Sequence, residues 1–222
     1  MFRLSGLAVM LGGVIGIINI PLLALAYFAT ADGAEFAPVV AAWVAVAQPL
    51  LKPLLSFATV DEVYLTYGKV MLLVFLGMLA GLLALHARQG FRSVLLEKIG
   101  FWVTLVSTLL FLCGVIGAYY VVTYVPAALD FSFFAFLLPG LGTMLIGPLF
   151  LGIGTIQASI APRLAGWLLI LGGAPGMLVT RQVVGHNSGG LFVLYLAWIV
   201  IGYWLWTTDQ PMRNRNEGER KL

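Results

Sequence analysis

The stretch Leu4-Ser-Gly-Leu-Ala-Val-Met-Leu-Gly-Gly-Val-Ile-Gly-Ile-Ile-Asn-Ile-Pro-Leu-Leu-Ala-Leu-Ala-Tyr-Phe28 runs for 25 residues without a charged side chain. As an α-helix it is about 37 Å long, more than the roughly 30 Å hydrocarbon core of a bilayer. Lipid satisfies such a rod directly, whereas in water every face would have to be buried. Five further apolar runs follow, at 63–85, 99–122, 133–157, 164–180 and 191–206; the fifth is short and contains Pro175. The pattern predicts an all-α, polytopic integral membrane helix bundle with six transmembrane helices over 1–206 and a mobile polar tail at 207–222.

Composition agrees. Of 222 residues, 61% are hydrophobic and 9% charged, too few charges to coat one soluble domain of this size. The lone Cys113 excludes an intramolecular disulfide and any thiolate-built zinc or iron–sulfur centre. The net charge of +3 is scattered among segment ends, with no basic face to follow a phosphate backbone, so nucleic acid is not expected as a partner. No cofactor is expected. The lipid bilayer is the one assured partner, with membrane-protein subunits or a second copy of the chain as further ones.

Short loops bearing Lys or Arg stay in the cytoplasm during insertion. An inside N-terminus leaves Arg3, Arg88, Arg92, Lys98, Arg163, Arg213, Arg215, Arg220 and Lys221 there, nine of the twelve cations. Both termini are therefore expected inside, in a bacterial cytoplasmic membrane. The first run is too long for the roughly 7–15-residue core of a secretory signal and is read as retained. Segment 36–58 is apolar enough to compete as a seventh span. A crossing there would export every later cation cluster, and Pro49, Lys52 and Pro53 interrupt it. It reads as short helices lying on, or dipping into, the outer face, either as a lid or as a lipid-facing interfacial segment.

Helices in lipid associate through close packing. Gly12 and Gly16, Gly77 and Gly81, and Gly172 and Gly176 have the required spacing, and ordinary packing within the chain accounts for them. Tyr64, Tyr67, Tyr119, Tyr120, Tyr124, Trp204 and Trp206 fall at run ends, as interfacial anchors do. Ala161-Pro-Arg-Leu-Ala-Gly-Trp167, followed by Gly202-Tyr-Trp204, resembles the endings of many bacterial multi-pass membrane proteins; the resemblance implies habitat, not chemistry.

Chemistry-bearing residues are sparse. No catalytic set is expected. His86 and His186 fall at opposite ends of the bundle, so they cannot share a haem, and His86 is explained by its helix C-terminus. In the loop 181–190, Arg181, His186 and Ser188 form the densest polar cluster near the membrane, a turn first and a contact site second. A Ser188–His186 nucleophile lacks an orienting acid. Within the spans Asn19, Lys69 and Gln157 stand out, Lys69 close enough to a helix end to snorkel.

Pro21 and Pro148 lie at matching distances into the first and fourth runs. Prolines so placed are expected to break helices in two inverted three-span halves and to expose backbone to a solute. Two functions follow. One is a non-catalytic accessory or structural component that docks with membrane subunits or lipid. The other is a small-solute or lipid transporter binding near Asn19, Pro21, Lys69, Pro148 and Gln157.

Overall fold

The computed structural model describes residues 2–30, 41–55, 57, 59–89, 94–159 and 161–208. All the regular structure there is helical: α1 (Phe2–Ala29), α2 (Ala41–Leu51), α3 (Val60–Gln89), α4 (Leu95–Tyr119), α5 (Ala128–Ser132), α6 (Leu138–Ala158), α7 (Arg163–Gly172), α8 (Ala174–Val184) and α9 (Phe192–Thr207). Five continuous segments are long and apolar enough to cross a bilayer: Phe2–Ala29, Val60–Arg88, Leu95–Thr123, Ala128–Ala158 and Gly189–Thr207. The sixth crossing is the pair α7–α8, bent by 65°. The protein is a multi-pass membrane helix bundle. Phe2 and Thr208 share one end, where Arg88 lies over the Phe2 ring and donates to the Thr208 carbonyl. This is called the near end below, and the opposite one the far end.

Consecutive spans are neighbours, and the ring closes on itself: α1 packs on α3, α3 on α4, α4 on α6, α6 on α7, α7 on α9 and α9 on α1. Missing side chains draw these seams together. A Cβ at Gly6 would stand 2.7 Å from the Gly202 carbonyl oxygen, and one at Gly202 2.6 Å from that of Gly6, so α1 and α9 meet backbone to backbone. Along α4 and α6, Gly100 abuts the Leu151 backbone, Gly147 that of Thr104, and Gly154 that of Glu97. Gly12, Gly77 and Gly81 lie in the α1–α3 seam, Gly16 faces Tyr195 and Gly172 faces Leu194, so these spaced glycines serve contacts within the chain. The α3–α4 joint is filled by aromatic rings instead, with Phe75 stacked on Phe111 at 4.8 Å.

Two of the antiparallel glycine seams, α4–α6 and α1–α9, repeat each other in register. In one, Gly114 faces Leu137 and Gly140 faces Phe111; in the other, Gly202 faces Met10 and Gly13 faces Ile199. The offset that carries Pro21 to Pro148 also carries Met10 to Leu137 and Gly13 to Gly140. The offset that carries Gly202 to Gly114 carries Ile199 to Phe111.

Three expectations need correction. Pro21 and Pro148 do not break their helices, for α1 and α6 run through them. Each proline forfeits one backbone donor, yet the helical hydrogen bonding resumes beyond it. The break falls instead in the fifth span, expected as one helix over 164–180. Pro175 occupies the first turn of α8, has no N–H to offer Leu171, and so starts a helix rather than continuing one. The Gly173 N–H closes α7 on Leu169, while its carbonyl accepts from Met177 to open α8. Lastly, the fourth span begins earlier than 133, with α5 and a π-helical turn at Phe133–Leu137, where the Leu138 N–H donates to Phe133 just ahead of Pro139.

Of segment 36–58, residues 36–40, 56 and 58 lie outside the described residues, as does 209–222 of the tail. The described part is α2 and a 3-10 turn, Lys52–Leu54. Eleven residues of helix reach about 17 Å, too short to cross. Val44 and Leu55 are buried with Leu23, Leu25 and Phe28 of α1 and Val63 of α3, so the segment caps the far end.

Candidate functional site

Polar side chains gather at both ends of the bundle. At the far end, α1 presents Asn19 and Tyr27, α3 presents Tyr64 and Tyr67, and the turn after α8 presents His186. Asn19 is buried, and its amide donates to the Tyr67 carbonyl at 3.1 Å. The Tyr67 hydroxyl donates to the Leu54 carbonyl at 2.6 Å, tying the capping segment to α3. His186, 8% exposed, lies 5.1 Å from the Tyr27 ring, and its Nε2 is 3.0 Å from the Tyr64 hydroxyl. With the imidazole proton on Nδ1, that hydroxyl donates to Nε2. Burial, and secondarily the Arg181 cation, push the His186 pKa down from 6.5 to about 4, so the ring is neutral at neutral pH.

Lys69 is half-buried, with its ammonium 5.8 Å from the centre of the Tyr120 ring, whose hydroxyl donates to the Lys69 carbonyl. A cation–π contact thus accompanies the partial emergence of this side chain.

At the near end α4 carries Glu97 in its first turn, fully buried. The His86 Nδ1 lies 3.0 Å from its Oε1, so the tautomer with the proton on Nδ1 donates to it, and the imidazole stacks on Phe101 at 3.8 Å between ring centres. Gly154 supplies the room, since any side chain there would collide with the Glu97 backbone. Arg88, the penultimate residue of α3, rests 4.4 Å from the Trp204 ring centre.

The structure brings Asn19 and His186 to one end but does not gather the proposed transport residues. Asn19 and Pro21 lie on α1, whose main neighbours are α3 and α9; Pro148 and Gln157 lie on α6, between α4 and α7. Gln157 is exposed at the near end, and Arg181 is exposed on α8. The backbone of Ser188 falls in the 3-10 turn Asn187–Leu191, but its side chain lies outside what is described. Among the described residues, no three of His, Cys, Asp and Glu cluster as metal ligands.

Sequence reading missed the His86–Glu97 pair, because loop residues separate the partners and each alone looks interfacial. It also missed the α4–α6 seam. Glycines at 140, 147 and 154, seven apart, mark one stripe of a helix and were the available signal. Thr104, Ser107 and Thr108 line the facing helix, where the Ser107 hydroxyl donates to the Gly140 carbonyl at 2.7 Å.

No protein-family model, curated protein or solved structure matches the chain.

Proposed function

We propose that the protein is a non-catalytic component of a bacterial cytoplasmic membrane, near end inside, that docks with other membrane subunits through the outer face of its fourth span. Uneven burial carries this reading. Only 28% of the apolar window in 128–158 is buried, against 44% to 56% in the other four continuous spans. On that face Phe131, Phe134, Leu138 and Ile146 are exposed, and Gly142 has nothing within 4 Å of where its Cβ would stand. A bare backbone patch among apolar side chains is what a partner helix needs to approach closely. The distribution of cations along the sequence supports the orientation.

Blue-native electrophoresis of membranes in gentle detergent tests the reading. Migration well above the 23.9 kDa monomer, lost in a Gly142→Leu variant, is expected. A lone monomer with no crosslinked partner would contradict it.

The repeated seam register favours a second reading, transport of a small solute or lipid by two inverted three-span halves. In that reading the bend at Gly173, rather than Pro21 or Pro148, supplies backbone groups to the solute. Solute flux in proteoliposomes above that of empty vesicles would support it, and none across a broad panel would count against it.

A further inference from the structure

The joint between α3 and α4 opens outward as a groove with a cation at its far end. On α3, Lys69, Leu73 and Leu76 follow one another by four and then three residues, so they share one helix face. On α4 and its cap, Tyr120, Ile116 and Leu109 repeat that spacing in the opposite direction. Lys69 is half-buried, and the other five are exposed. The Tyr120 hydroxyl donates to the Lys69 carbonyl, and the Lys69 ammonium stands over the Tyr120 ring. These contacts set the two stripes on the same side of the antiparallel pair, and the Phe75–Phe111 stack closes the joint behind them.

Depth makes the lysine informative. The Asn19 amide donates to the Tyr67 carbonyl, so this level of α3 lies beside a residue about 26 Å along α1 from Phe2. With Phe2 at the near boundary, the Lys69 backbone sits just inside the far edge of a roughly 30 Å hydrocarbon core, and its stem lifts the ammonium toward the phosphate layer. Among the described residues no carboxylate pairs with that ammonium, which meets the face of an aromatic ring. Glu62, the acid on its own face, lies two turns, about 10 Å, nearer the start of α3. A cation at this depth with its N–H donors unspent calls for an anion from outside the chain.

We propose that this groove binds a membrane phospholipid, with the phosphate on the Lys69 ammonium and an acyl chain along Leu73, Leu76, Ile116 and Leu109. Cation and aliphatic side chains share one face and stand in the order a phospholipid presents them, headgroup outermost. The site rests on neither reading above. Docking concerns the fourth span, and holding a lipid between the second and third spans requires no transport, so each fails separately.

Native mass spectrometry of the full-length protein provides the test. Micelles are doped with equal amounts of phosphatidylglycerol and a galactosyl diacylglycerol of the same acyl chains, which lacks the phosphate. The unaltered protein should retain phosphatidylglycerol in preference. Lys69→Gln should lower that retention roughly fivefold, the worth of one interfacial cation, and Lys69→Arg should restore it. Lys98→Gln removes an exposed cation at the near end and should leave retention unchanged. Leu73→Trp fills the groove at constant charge and should lower retention of both lipids. Equal retention of the two lipids by the unaltered protein would overturn the proposal. So would equal losses from Lys69→Gln and Lys98→Gln in monodisperse samples, or no response to Leu73→Trp. Displacement of the lipid by millimolar soluble glycerol phosphate would assign Lys69 to a free phosphate ester and overturn the lipid assignment.

Discussion

His186 is a buried side chain at which protonation and stability meet. The His186 pKa falls from 6.5 to about 4 on folding. Across that window the unfolded chain takes up a proton that the folded one refuses, so stability falls as pH falls, by on the order of 3 kcal/mol. Melting temperatures in detergent between pH 7 and pH 4 should show this slope, and His186→Gln should flatten it while still reaching Tyr64. Glu97 matters through packing and its hydrogen bond. Its carboxylate is fully buried and meets His86 at 3.0 Å. His86→Ala removes one hydrogen bond to that buried carboxylate and should destabilise by about 1–2 kcal/mol. Glu97→Gln keeps an acceptor for the Nδ1–H and should cost less. Thermal unfolding of both single variants and the double variant checks this, with the double costing less than the sum if the pair acts as a unit. Neither histidine's surroundings could be read from the chain. Each draws its partners from distant segments, Tyr64 for His186 and Glu97 for His86, and local spacing carries no trace of such pairings.

At the scale of helices, what lipid removes as a driving force, backbone contact replaces. The positions of most spans were legible because a crossing needs length and apolarity, both of which are local properties. Which proline breaks a helix was not legible. Pro21 and Pro148 sit inside continuous helices, whereas Pro175 follows Gly172 and Gly173 and starts a helix of its own. Nor was the choice of working glycines legible, since 26 glycines make spaced pairs common. Geometry now separates them. A methyl at Gly154 would strike the Glu97 backbone, where nothing can rotate away, while one at Gly142 meets open space. Gly154→Ala should therefore destabilise by at least about 2 kcal/mol. Gly142→Ala should be neutral or gain up to about 1 kcal/mol from helix propensity. Paired melts of the two variants check both signs in one experiment, and similar losses at the two positions would contradict the seam.

For the molecule as a whole, the ring of six neighbouring spans makes one bundle, capped at the far end by α2. Glycine seams draw its spans together and its exterior is an apolar belt, so the proposed docking falls on the surface. The capping segment shows where sequence succeeded and where it stopped. The later cations, together with Pro49, Lys52 and Pro53, argued against a crossing, but only the fold placed Val44 and Leu55 against α1 and turned Val46, Leu50 and Leu54 outward.

The sixth crossing depends on the bent pair α7–α8, and its passage through the membrane decides the topology. Single cysteines can be placed at Arg3, Tyr124, Gln182 and Thr208 in a Cys113→Ala background and exposed to an impermeant maleimide in sealed vesicles of known orientation. Six crossings predict that positions 3 and 208 label from one side and positions 124 and 182 from the other. Labelling of 3 and 208 from opposite sides would mean that α7–α8 dips in and returns, and would contradict the account.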